Sequence, residues 1–300
     1  MTKISNDMSK GVSRLGGTFT RYNLLVAIPV LPLIIYLGFF FFWPMVAVFI
    51  DSFKDNSHHW SLVNFTTILN DPYRKAFKNS ITLGLVSALT ASIPGAIFAY
   101  IIEIRGSEKI KKIIGSLSGV LANTGGVPLA FMFIAAFGAQ GSAIYILKKI
   151  GINLYSGSFT LFSFVGIVIV YLYFQIPLMV IVFSPAVHGI RREWRDAARN
   201  LGATSLDFWK TIGLPLLFPS FAASFLLLFA SGFAAYATAR AMTVGNIALV
   251  PLVIGTLVDG NVQVDQANVG KSLAIGMVVI SAIAMIPYLY IQQRARKWQH

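Results

Sequence analysis

No cysteine occurs among the 300 residues, so the chain can form neither a disulfide nor a thiolate metal site. Acidic residues number 11 and histidines four. An active site embedded in a membrane needs His, Asp or Glu clustered near one bilayer face. His58, His59, His188 and His300 form no such cluster with carboxylates, so no catalytic and no metal-ligating residue is expected. Charge is also scarce, at 12% of the chain. A soluble domain of ordinary composition carries about 25%. Asp, Glu and Lys are missing from the middles of the apolar runs, where an ion-coupled transporter often keeps an ionisable group.

The chain is instead rich in long apolar runs, with 56% hydrophobic residues. A bilayer core needs about 20 apolar residues per helix. Six stretches qualify: roughly 23–50, 79–102, 113–137, 160–184, 218–239 and 270–291. In lipid each must satisfy its own backbone hydrogen bonds, and all are too long for barrel strands. The expected fold class is therefore an all-α membrane protein with six transmembrane helices. The first run, from Tyr22 to Ile50, far exceeds the apolar region of a secretory signal and reads as a retained span. The expected organisation is an N-terminal segment 1–22, a six-span domain 23–293 and a tail 294–300.

A net charge of +13 in a soluble protein would suggest nucleic acid as a partner. Here the basic residues sit in short segments beside spans, so the lipid bilayer is the partner and nucleic acid is not. The N-terminus, the 103–112 and 189–214 loops and the C-terminus together hold 16 Lys and Arg. The three opposite segments, about 51–78, 138–159 and 240–269, hold seven, and Lys271 just beyond them makes eight. The positive-inside rule then places both termini in the cytoplasm.

Prolines fall within several runs, including Pro94, Pro177 and Pro287, where each tends to kink a helix. Asn123-Thr124-Gly125-Gly126-Val127-Pro128 is the sharpest interruption. It is either an unwound segment facing a solute path, as in transporters with broken helices, or a packing kink with close approach through glycine. Asn123, Thr124, Gln175, Tyr236 and Thr238 are the polar groups expected along a path for a polar solute. Arg240 ends the fifth run, where it either snorkels to the headgroups or meets an anionic solute or a delivering protein. Gly270-Lys271-Ser272 has the ending of a phosphate-binding loop, but that motif requires Gly where this chain has Asp265.

The 189–214 loop is the most informative segment. Glu193 to Leu201 is rich in helix formers, and Gly202 supplies the permissive backbone wanted just past a helix end. Thr204 or Ser205 can cap a second short helix, with Asp207 near its start. Pro215 is expected to close that helix and open the next span. Ala197 and Ala198 offer a small face for close packing, flanked by carboxylates and arginines. A surface helix that docks into a groove on a soluble partner needs this mixture. An ordinary amphipathic connector would account for it equally well.

The pattern Asp196-Ala197-Ala198-x3-Gly202-x9-Ile212-x-Leu214-Pro215 resembles the "EAA" loop of ABC importer permeases. Asp196 stands where that family usually has Glu, which keeps the charge and shortens the reach. Asn79-Ser80 and Gln175-Ile176-Pro177-Leu178-Met179 also look like this family. The resemblance implies a type I ABC importer permease fold in a bacterial inner membrane, and a chain that is not an enzyme. It implies that Glu193, Asp196, Ala197, Ala198, Gly202, Ile212, Leu214 and Pro215 couple the spans to separate ABC ATPase subunits. No cofactor is expected in this chain, since the partner subunit binds ATP and magnesium. A second permease subunit and an extracytoplasmic solute-binding protein complete the implied assembly. Val127-Pro128-Leu129-Ala130-Phe131 and Tyr236-Ala237-Thr238-Ala239-Arg240 look most like the spermidine and putrescine branch, whose relatives serve opines, phosphonates and iron(III). The alternative reading is a secondary transporter or channel working alone.

Overall fold

The computed structural model describes residues 30–55, 57–157, 159–243, 246–258 and 266–297. The expected segment 1–22, the start of the first span at 23 and the last residues of the tail, 298–300, lie outside the described residues. Within them the chain is helical, and six helical segments are long and apolar enough to cross a membrane.

Helix α1 spans Val30–Ser52 and α2 Val63–Thr67. Helix α3, Tyr73–Arg105, starts six residues before the expected Asn79, because Tyr73 and Ala76 are already buried against later elements. Helix α4 is Glu108–Asn123, α5 Val127–Phe137 and α6 Ser142–Lys149. Helix α7, Phe164–His188, is the most buried of the six spanning segments. Helix α8 is Arg192–Asn200, and α9 runs Ser205–Ala234. After it come α10 Tyr236–Thr243, α11 Val250–Val258 and α12 Ala267–Lys297.

Two of the expected spans are corrected. The third, expected as one run over 113–137, is divided between α4 and α5 by an unwound stretch at Thr124–Gly126. The fifth, expected over 218–239, begins at Ser205 and breaks at Ala235, whose ψ of 96° is extended. Arg240 therefore does not end a span; it sits on the separate helix α10. Pro215 likewise does not close the second loop helix. A π turn at Trp209–Gly213, in which Leu214 N–H reaches the Trp209 carbonyl, carries the helix through it. The same device, a π turn at Gly38–Phe42 with Trp43 N–H on the Gly38 carbonyl, precedes Pro44 in α1. A proline ring crowds the carbonyl one turn back, and the wider π turn gives it room.

The core forms where α3, α7 and α9 meet. Between spans in lipid, close packing replaces the hydrophobic drive, so small residues are favoured at contacts. Helix α3 presents such a stripe: Ser80, Gly84, Ser87, Ala88, Ala91, Gly95 and Ala99 are all buried. A Cβ on Gly95 would lie 2.6 Å from Met179 Cβ of α7. At one end of the bundle, Lys271 Nζ donates to Asp51 (2.9 Å) and Ser272 Oγ donates to the Ser52 carbonyl (3.1 Å). Those bonds, from the Gly270-Lys271-Ser272 segment, pin α12 to the end of α1. At the opposite end Glu103 (α3) receives Lys111 Nζ of α4 and His188 Nδ1 of α7, each at 3.4 Å. Glu103, Lys111, His188 and the 189–214 loop thus share one end of the bundle. Lys54, Tyr73 and Lys271 share the other, where Tyr73 OH donates to Gln266 (2.8 Å).

Candidate functional site

The 189–214 loop folds as two helices joined at a tight corner. Helix α8 ends in a Schellman motif: Ala203 N–H bonds the Ala198 carbonyl (3.0 Å), and Gly202 N–H bonds that of Arg199 (2.9 Å). This closure needs a left-handed residue just past the helix, and Gly202 has φ 81°. Two residues later a reciprocal capping box starts α9. Asp207 N–H bonds Thr204 Oγ1 (3.2 Å), and Thr204 N–H bonds Asp207 Oδ2 (3.0 Å). Thr204, rather than Ser205, is the cap. The loop's geometry is thereby fixed by its own backbone.

Helix α8 divides into two faces. Glu193, Asp196, Ala197, Asn200 and Leu201 are exposed and follow the i, i+3, i+4 spacing of a single stripe. Trp194, Arg195 and Ala198 turn inward and are half-buried. Arg195 lies over the Phe208 ring at 5.6 Å, and Trp209 meets Tyr100 of α3 edge to face at 5.0 Å. Leu201, 88% exposed beside Gly202, is the residue the sequence reasoning missed. A lone leucine ending so polar a helix was the available signal. A side chain added at Gly202 would meet nothing within 4 Å, so its effect there comes from backbone strain and not from wedging the helices apart. Ile212, Leu214 and Pro215 are exposed at the π turn, where the loop becomes the span.

The path candidates gather at the two helix breaks. Gly126, with φ 94°, donates its N–H to Thr238 Oγ1 at 2.8 Å. Tyr171 OH of α7 donates to the Ala235 carbonyl at 3.2 Å. Both interruptions thus have an orphaned backbone group satisfied by a side chain from another helix, the condition under which broken helices persist in a membrane. Asn123 and Thr124 turn back on α4, donating to the carbonyls of Gly119 (2.9 Å) and Val120 (2.6 Å). Tyr236 and Arg240 are exposed on α10, stacked and hydrogen-bonded to one another. Gln175 stands apart. Fully buried one turn along α7 from Tyr171, it donates to Ser87 Oγ (3.3 Å) and the Leu228 carbonyl (3.2 Å), while its Oε1 has no partner.

No family model matches the chain. Among curated proteins it is 22% identical over 252 residues to the spermidine/putrescine transport system permease protein PotC of Escherichia coli (strain K12). That match covers 81% of this chain and 86% of PotC. A probable sulfate transport system permease protein, cysT of Nephroselmis olivacea, is also 22% identical, with 83% of this chain and 85% of cysT covered. Among solved structures, a bacterial ABC transporter involved in the import of the acidic polysaccharide alginate matches with TM-score 0.66 at 19% identity. It covers 95% of this chain and 99% of that one. A second structure, of the bacterial alginate ABC transporter in complex with alginate pentasaccharide-bound periplasmic protein, gives 0.65 at 16% identity, with 94% and 97% covered. The chain is a homologue of ABC importer permeases. In this chain, the two-helix corner at Gly202 and the paired breaks at Gly126 and Ala235 are joined by a single continuous helix, α9, and its short successor α10.

Proposed function

We propose that this chain forms half of the solute path of an ABC importer and couples it to a separate ATPase through the 189–214 loop. The observation that carries the reading is mechanical continuity. The capping box at Thr204 roots the loop directly in α9, with no flexible joint at Pro215. Helix α9 then runs to Ala234, four residues before Thr238, whose hydroxyl holds the break at Gly126. A push on the exposed face of α8 is delivered at the crossed breaks. The remaining parts of the assembly are a second permease subunit and an extracytoplasmic solute-binding protein. Both termini are cytoplasmic, set by the excess of Lys and Arg on the loop side.

The solute is a small polar compound, in the class of polyamines or opines, with phosphonate or iron(III) as the alternative. The PotC relationship supports the polyamine arm, and the cysT relationship adds sulfate to the compounds worth testing. The complex, reconstituted in proteoliposomes with its ATPase and binding protein, should accumulate one of these compounds only when ATP is supplied. Accumulation driven by an ion gradient without ATP would establish a secondary transporter instead.

A further inference from the structure

The permease carries, at the root of the docking loop, two adjoining cavities of opposite character. A groove of about 750 Å³ between α3 and α9 is walled by Ile93, Ile97, Leu214, Phe218 and Phe221. Its size falls within the range of sites that enclose a drug-sized ligand, about 300–1,000 Å³. A smaller pocket of about 190 Å³, under the inner face of α8, is lined by Arg195, Arg199 and the hydroxyl residues Thr204 and Ser205. Tyr100 and Trp209, the edge-to-face pair, line both. Lys210 lies on the groove side.

Three cations and no carboxylate line the two cavities. The nearby Asp207 carboxylate is turned onto Thr204 by the capping box. An apolar trough inside the membrane-spanning region, sharing an aromatic pair with a basic pocket at the helix ends, matches one kind of molecule. It must be a long hydrocarbon with a negative head. Basic pockets between helices at the membrane face bind anionic lipid headgroups for this reason, and paired aromatic side chains suit the boundary between chain and head.

We propose that this is a binding site for an anionic glycerophospholipid. Its phosphate sits between Arg195 and Arg199, and an acyl chain lies along the α3–α9 groove. The site is on the inner side of α8, opposite the Glu193–Ala197–Leu201 stripe. Lipid and a soluble partner therefore occupy the loop at the same time, and the lipid braces the joint that α8 shares with α9.

The test uses the full chain in detergent, titrated with phosphatidylglycerol or phosphatidylcholine of the same acyl composition, with retained lipid counted by native mass spectrometry. One phosphatidylglycerol should be retained in preference to phosphatidylcholine. Retention should weaken about fivefold for each cation removed in Arg195→Gln and Arg199→Gln, and the two Lys substitutions should restore it. Ile97→Trp, which fills the groove and leaves the basic pocket intact, should also lower retention. Equal retention of the two lipids, or indifference to all these variants, would overturn the proposal. So would displacement of the lipid by inorganic phosphate alone, which would mark a free-anion site. Loss of retention on self-association of the chain would assign the groove to a second copy.

Discussion

Gly202 is the residue whose replacement separates backbone strain from side-chain contact. Its φ of 81° is needed by the Schellman closure of α8, and the space around its missing side chain is open. An L-residue in this region costs about 1–2 kcal/mol, with Asn among the few that visit it routinely. Gly202→Val should therefore abolish most ATP-driven uptake, while Gly202→Asn retains most of it; uptake rates in proteoliposomes at matched protein levels check both. Similar activity of the two variants would show that the corner's conformation is unimportant. Thr238 makes a second residue-level case. Thr238→Val keeps the shape and leaves the half-buried Gly126 N–H without its partner, a loss of about 1 kcal/mol. The midpoint of thermal unfolding of the purified chain should fall, and Thr238→Ser should restore it.

Among the elements, the contact of α3 with α7 depends on how closely two backbones approach. Even the single methyl of Gly95→Ala would fall 2.6 Å from Met179 Cβ, so one of the helices has to shift. Overpacking of this kind costs about 1–3 kcal/mol. Gly95→Ala should lower the unfolding midpoint, and Gly95→Leu should prevent recovery of monodisperse protein. Unchanged behaviour of both would mean the helices stand further apart than described. This is also the scale at which the sequence was legible in part. The corner at Gly202 and the cap at Thr204 were readable because caps are local, decided by residues within a few positions. The division of the third span was flagged at Asn123–Pro128, but whether it unwinds depends on Thr238, 112 residues further on. The passage of α9 through Pro215 was hidden for a different reason. A proline normally marks a helix start, and only the preceding π turn lets the chain continue. Nor did any local signal announce that Glu103, Lys111 and His188, from three helix ends, would meet.

At the scale of the whole molecule, the structure brings the basic 103–112 and 189–214 loops together at one end of the bundle. Which end faces the cytoplasm is open to direct measurement, because the chain has no cysteine and any introduced thiol is unique. Ser61→Cys should be labelled by a membrane-impermeant maleimide in intact spheroplasts. Asn200→Cys should react only after the membrane is opened. The reverse pattern would invert the orientation and remove the docking role with it.

The central claim, that the exposed stripe of α8 is where the ATPase engages, is tested most directly by crosslinking from the same kind of unique thiol. Ala197→Cys and Leu201→Cys, co-expressed with the cognate ATPase subunit and treated with a short bifunctional reagent, should each give a permease–ATPase adduct. Ala198→Cys, on the half-buried face, and Ser61→Cys, at the far end of the bundle, should give none. The adducts at positions 197 and 201 should change in yield when ATP is added. A stripe that yields no adduct in an assembled complex, or one that reacts no better than Ser61→Cys, would contradict the account.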